Sequence, residues 1–126
     1  MDGITQATGE FKGLLGKWTV FDNNTEELGT VRSVFLSFSK KYIYNAFNRE
    51  ELSIHSPAFS KNHIIYDTRN NEIASFKRVN NFFASAAYEV HNSTDFFTME
   101  ELIIVVMGVN EIKKRKRRQT NANVNH

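Results

Sequence analysis

The stretch Thr98 to Arg118, TMEELIIVVMGVNEIKKRKRR, constrains this chain more than any other. Eight consecutive apolar or glycine positions, Leu102 to Val109, gain by leaving water. Six consecutive cations, Lys113, Lys114, Arg115, Lys116, Arg117 and Arg118, lose by leaving it. The apolar run is far short of the roughly 18 to 20 residues that a spanning helix needs, so the rest of the chain has to cover it. Thr98-Met-Glu-Glu101 has the capping-box pattern, with Thr98 as N-cap and Glu101 reaching back to it. Acids at Glu100 and Glu101 and cations from Lys113 onward suit the dipole of a helix over about 99–116. Ile103-Ile-Val-Val106 has strand propensity, and a buried strand is the competing reading. As a helix, Leu102 to Val109 is apolar on every face and is expected to be surrounded by protein. Gly108 costs a helix roughly 1 kcal/mol against Ala, which close packing on a neighbouring strand would account for.

The cover has to come from short strands. Three passages share one layout: Trp18-Thr-Val-Phe-Asp22 returning as Glu27-Leu28-Gly-Thr-Val31, Tyr42-Ile-Tyr-Asn45 returning as Glu51-Leu52-Ser-Ile54, and Ile64-Ile-Tyr66-Asp67 returning as Glu72-Ile73-Ala-Ser-Phe76. Aromatic and β-branched residues suit a pleated, half-buried surface, and Asp or Asn bonds its own backbone at a turn. Each passage therefore predicts a β-hairpin, and hairpins side by side make a meander. Asp22, Asn45 and Asp67 stand at near-equal intervals; a true internal repeat and generic hairpin chemistry both account for that. Further strands are expected at Val31 to Ser39, with a bulge or bend near Ser33 where the alternation slips, and at Ala84 to His91. A short segment at Phe11 to Leu15 and a corner at Ser56-Pro57 complete the outline. The expected organisation is a loose N-terminus over 1–10, one domain over 11–118 and a loose tail over 119–126.

Charge decides which functions are plausible for which part. Of sixteen Lys and Arg, six lie in 113–118; the ten that remain face fourteen acids, so the body carries −4 and the basic run +6. A polyanion-binding role therefore belongs to the run and not to the body. Cysteine is absent, which excludes disulfides and thiolate metal sites. The N-terminus has neither the basic nor the apolar region of a signal peptide, so a soluble cytoplasmic protein is the expectation.

Repeated aromatic-x-aliphatic-Asp hairpins followed by one apolar helix resemble the tubby C-terminal-like superfamily, which includes LURP-one-related proteins and phospholipid scramblases. The resembling passages are Trp18 to Val31, Tyr42 to Ile54, Ile64 to Phe76, Tyr88-Glu-Val90 and Glu100 to Ile112. The resemblance implies an antiparallel β-barrel wrapped around a central hydrophobic helix, and a loose association with membranes. The chain departs from the family in having only about eight or nine strands, no cysteine cluster and no spanning segment. No tubby phosphoinositide-binding cation can be matched residue by residue, so the resemblance supplies no site.

Other candidate chemistry is weak. His55, His63, His91 and His126 lack the spacing of metal ligands and read as exposed strand or loop residues. Ser53, His55 and Asp67 have no nucleophile elbow beside them. The pairs Glu26-Glu27, Glu50-Glu51 and Glu100-Glu101 are explained by turn solvation and helix capping, and Gly13 and Gly16 form no phosphate loop. Phe82-Phe83 and Phe96-Phe97 flank turns and read as core, with an exposed anchor as the alternative. The expected fold is thus mainly β with one α-helix, an antiparallel meander or barrel of about eight or nine strands around a C-terminal helix. The expected function is a non-enzymatic interaction module, without cofactor or metal, that contacts anionic phospholipid through Lys113 to Arg118. A small-ligand carrier or enzyme with a site in the barrel, and a non-specific nucleic-acid contact through the basic run, are the alternatives.

Overall fold

The computed structural model describes residues 7–12, 17–35, 40–56, 62–78, 88–92 and 96–124. In chain order they form β1 (Thr8–Lys12), β2 (Lys17–Phe21), β3 (Glu27–Phe35), β4 (Lys40–Ala46), β5 (Glu51–His55), β6 (His63–Tyr66), β7 (Glu72–Arg78), β8 (Tyr88–Asn92) and α1 (Met99–Val124). Every strand pairs antiparallel with the next, giving a meander in the order β1 to β8. Among the described residues no ladder joins β8 back to β1. Three details differ from expectation at the ends. β1 begins at Thr8, inside the stretch read as loose, and α1 runs on to Val124, through positions read as a tail. The last turn of α1 accordingly holds no cation, so the basic run lies within the helix and does not sit on its negative pole.

The three hairpins form where aromatic and β-branched runs meet polar turns. The first return strand and the segment after it are one strand, β3, paired without interruption from Gly29↔Ala46 to Phe35↔Lys40. The bulge expected near Ser33 is absent from that ladder. Register shifts occur instead beside the turns, between Val20 and Phe21 and between Ile65 and Tyr66. These two turns have the same geometry. Asp22 Oδ1 accepts N–H bonds from Asn24 (2.8 Å) and Glu26 (2.9 Å), and Asp67 Oδ1 accepts from Arg69 (2.9 Å) and Asn71 (2.9 Å). Thr25 and Asn70 take the left-handed backbone at the same place, with φ of 62° and 63°. The middle hairpin is different. Asn45 stays in β4 opposite Glu51, and its turn is closed by the Arg49 N–H on Ala46 O with Asn48 left-handed. The repeat therefore relates the first and third hairpins.

Alternate residues of the meander make a wall. Trp18, Val31, Tyr44 and Leu52 stand opposite one another across β2 to β5. Tyr42, Ile54, Ile65 and Ala74 do the same across β4 to β7. These residues are buried and join Leu102, Val105, Val106, Val109 and Ile112 of α1 in one core. Each buried Leu, Ile or Val gains roughly 1.5 to 3 kcal/mol by transfer from water, enough to hold helical a segment whose local preference leans toward strand. Trp18 sets how closely the helix approaches. Its Nε1 donates to Ile104 O at 3.0 Å, and its ring lies where a Cβ on Gly108 would fall, 2.2 Å from Cδ1. The close approach expected at Gly108 is present. Gly9 of β1 leaves the same kind of space on the ring's indole side (2.4 Å from Cζ2 to a Cβ there), and Phe11 meets Trp18 edge to face at 5.2 Å.

The helix is not surrounded by protein as its composition suggested. Ile103 is 37% and Met107 47% exposed, and Met99 42%. At about 100° per residue these three share one arc, opposite the arc of Leu102, Val105, Val109 and Ile112. The physical reason is geometric: a sheet faces a helix from one side, and eight apolar positions are more than that side can cover.

Candidate functional site

The two ends of α1 handle charge in opposite ways. At the N-terminal end Thr98 Oγ1 accepts the Glu101 N–H at 3.1 Å, so Thr98 is the N-cap. The Glu101 carboxylate does not complete a capping box. It turns into the core, 3% exposed, and accepts both Arg49 guanidinium nitrogens, Nη1 to Oε1 at 2.8 Å and Nη2 to Oε2 at 2.6 Å. The Tyr44 hydroxyl donates to Oε2 at 2.5 Å. Arg49 also reaches Phe96 O (3.4 Å) and Leu28 O (3.3 Å), and its guanidinium lies 4.7 Å from the Phe97 ring centre. Burial first, then the bond to Glu101, raises the Tyr44 hydroxyl far above the ordinary phenol value. The hydrogen bonds to Glu101 likewise raise the Arg49 guanidinium. This cluster ties the middle hairpin, the β3 start and the helix start together.

The cluster was not foreseen, because Glu101 read as a cap. One signal was available. Glu101, Val105, Gly108, Val109 and Ile112 recur at helical spacing, so a charge heads the buried stripe and must find a partner.

At the other end the basic run winds around the helix and does not form one patch. Lys113 turns back to donate to the buried Ser56 hydroxyl at 2.5 Å. Lys114 is 54% exposed and pairs with Glu111 at 3.1 Å, one turn away. The Arg115 guanidinium stacks 3.6 Å from the centre of the Phe11 ring. Lys116 is half-buried and Arg118 is exposed. The Arg117 side chain lies outside the described residues. Of the six, Lys114, Arg115 and Arg118 are thus exposed, and Lys114 and Arg118 share the arc of Met99, Ile103 and Met107.

The remaining candidates do not converge. His55 is exposed, but His63 is fully buried, against expectation, because it holds in the third hairpin the core-facing place that Trp18 holds in the first. The side chains of His91 and His126 lie outside the described residues, as do Gly13, Gly16, Phe82 and Phe83. Among the described residues no three His, Asp or Glu side chains are placed to hold a metal ion. Asp67 spends its oxygens on its own turn, which also lowers its carboxyl below the ordinary range, chiefly through the Asn71 N–H. No hydrogen bond joins Asp67 to His55 or Ser53 among the described residues. Glu27 pairs with Lys12, whereas Glu50 and Glu51 face solvent. Phe97 is core and Phe96 is 81% exposed, so that pair divides between the two readings. An open cleft of about 550 Å³ lies beside them, lined by Glu50, Asp67, Arg69, Glu72 and Phe96 among others.

No helix among the described residues is long and apolar enough to cross a membrane. Compared with models of known protein families, with curated proteins and with solved structures, the chain matches none.

Proposed function

We propose that this chain is a small, non-enzymatic, tubby/LURP-like β-barrel module that docks on anionic phospholipid at the inner face of a membrane. The observation that carries this reading is the separation of charge combined with where the cations stand. The body is −4, and Lys114, Arg115 and Arg118 are exposed on α1. The meander with a core-forming C-terminal helix supports the tubby-like part of the proposal. Cations near a surface of acidic lipid gain about 1 kcal/mol each, so three of them give a weak, reversible attachment. The Lys114–Glu111 pair does not oppose this, since an exposed pair of this kind contributes about 0 to 1 kcal/mol.

The test is vesicle co-sedimentation of the full chain against Lys114→Gln/Arg115→Gln/Arg118→Gln. The parent is expected to bind vesicles containing phosphatidylserine and not those of phosphatidylcholine alone, with binding lost in the triple variant. Equal binding by both proteins removes the basic run from the mechanism. A parent that ignores lipid but retains duplex DNA in a salt-dependent way turns the proposal to nucleic acid. The cleft beside Phe96 favours a second reading, a carrier of a small ligand, which predicts that a ligand raises Tm and that Glu72→Gln alters the effect.

A further inference from the structure

Resting on that lipid-docking reading, we infer that the outer face of α1 is itself the membrane-contacting surface: Met99, Ile103 and Met107 enter the lipid interface while Lys114 and Arg118 hold its phosphates. The basic run alone does not require this, because an electrostatic attachment needs no apolar contact. Three observations converge on it. The exposed arc carries three large apolar side chains in successive turns, 42%, 37% and 47% exposed. The same arc continues, at helical spacing, into Lys114 and Arg118. Phe96, just ahead of the helix, is 81% exposed. Glu100, in the first turn, lies at the angle of Arg118. The face is therefore apolar with one acid at its first turn and cationic farther along, a division that suits a helix lying flat in an interface with Glu100 at the polar edge.

A second copy of the chain fits the face less well. Three large apolar side chains, each less than half exposed, with Phe96 ahead of them, make a small apolar centre for an interface that buries roughly 800 Å² per partner. The face also includes Asn110 and Lys114, which a helix pair would have to bury. A lipid interface accepts those groups at its polar level. The opposite face of the helix is occupied by the sheet, with Trp18 seated at Gly108, so the body would stand above the membrane with its meander away from it.

The absence of cysteine makes the test direct. Met107→Cys and Asn45→Cys each accept one environment-sensitive fluorophore, the first on the proposed face and the second on an exposed position of β4. On vesicles of phosphatidylcholine with phosphatidylserine, the label at 107 is expected to shift to the blue and the label at 45 to stay as in water. Ile103→Ser/Met107→Ser is expected to weaken vesicle binding about ten-fold, with circular dichroism unchanged. A parent that binds while the label at 107 remains in water overturns the inference and leaves the electrostatic docking standing. A parent that binds none of these vesicles overturns both. If the serine variant unfolds, the two labelled proteins still decide the matter.

Discussion

The first turn of α1 and its basic run are both charged, yet one is buried and the other is not. Glu101 lies in the core with three donors around it, from Arg49 and Tyr44. Lys114, Arg115 and Arg118 stay in water or on ring faces at the surface. The difference follows from the cost of desolvation. A carboxylate met by a forked guanidinium and a hydroxyl has its lone pairs filled, whereas Lys114 meets one surface carboxylate and Arg115 a ring face, neither of which would offset the cost of burial. Charge at the first turn therefore serves to fix the position of the helix, and charge along the outer face is left available for a partner.

Breaking the buried end should have the largest effect. Arg49→Met leaves Glu101 buried without its main partner and should cost about 3 kcal/mol in urea unfolding. Adding Glu101→Met should recover part of it, the remainder reflecting the Tyr44 hydroxyl left without its acceptor. A double variant no better than the single would show that the pair does not act as a unit. Next in size is Gly108→Ala. Helix propensity alone favours the substitution by about 1 kcal/mol, but the Trp18 ring occupies the space, so a net loss of about 2 kcal/mol is expected. A gain in stability would place Trp18 elsewhere. Tyr44→Phe removes one bond to Glu101 and should cost about 1 kcal/mol at neutral pH. It should also flatten the alkaline limb. With the folded value raised, the Tyr44 contribution is present below the ordinary phenol value of about 10 and is lost as pH climbs above it.

Smaller effects come from the turns and the outer face. Asp22→Ala and Asp67→Ala should lower Tm to a similar degree, because the two turns share their bonds and their left-handed residue. The lowered carboxyl of Asp67 means that its contribution holds above the ordinary carboxylate range and is lost as pH falls through the lower folded value. Asp67→Asn should therefore weaken the acid dependence of stability. Lys114→Gln/Arg118→Gln should change stability by less than about 0.5 kcal/mol while reducing vesicle binding. A large loss of stability there would erase the contrast between the two parts of the helix.

Much of the architecture could be read from local chemistry. The hairpins at Trp18 and Ile64 form because β-branched and aromatic runs adjoin Asp22 and Asp67, which bond their own turns. The Tyr42 hairpin follows from its run and a polar turn; all of this is information held within a dozen neighbours. Thr98 as N-cap and Gly108 as a point of close approach were legible for the same reason. The burial of His63 was not, since it depends on a register set by the partner strand.

Sequence by itself thus determined that a row of hairpins precedes one apolar helix, and that the cations concentrate on that helix. Tertiary structure alone decided that Glu101 abandons the cap for Arg49, 52 residues away, and that Ile103 and Met107 face outward. Both outcomes depend on which side of the helix meets the sheet. That orientation is chosen by the whole packed wall, through Trp18 on Gly108 and Tyr44 on Glu101, and no local preference of the chain encodes it.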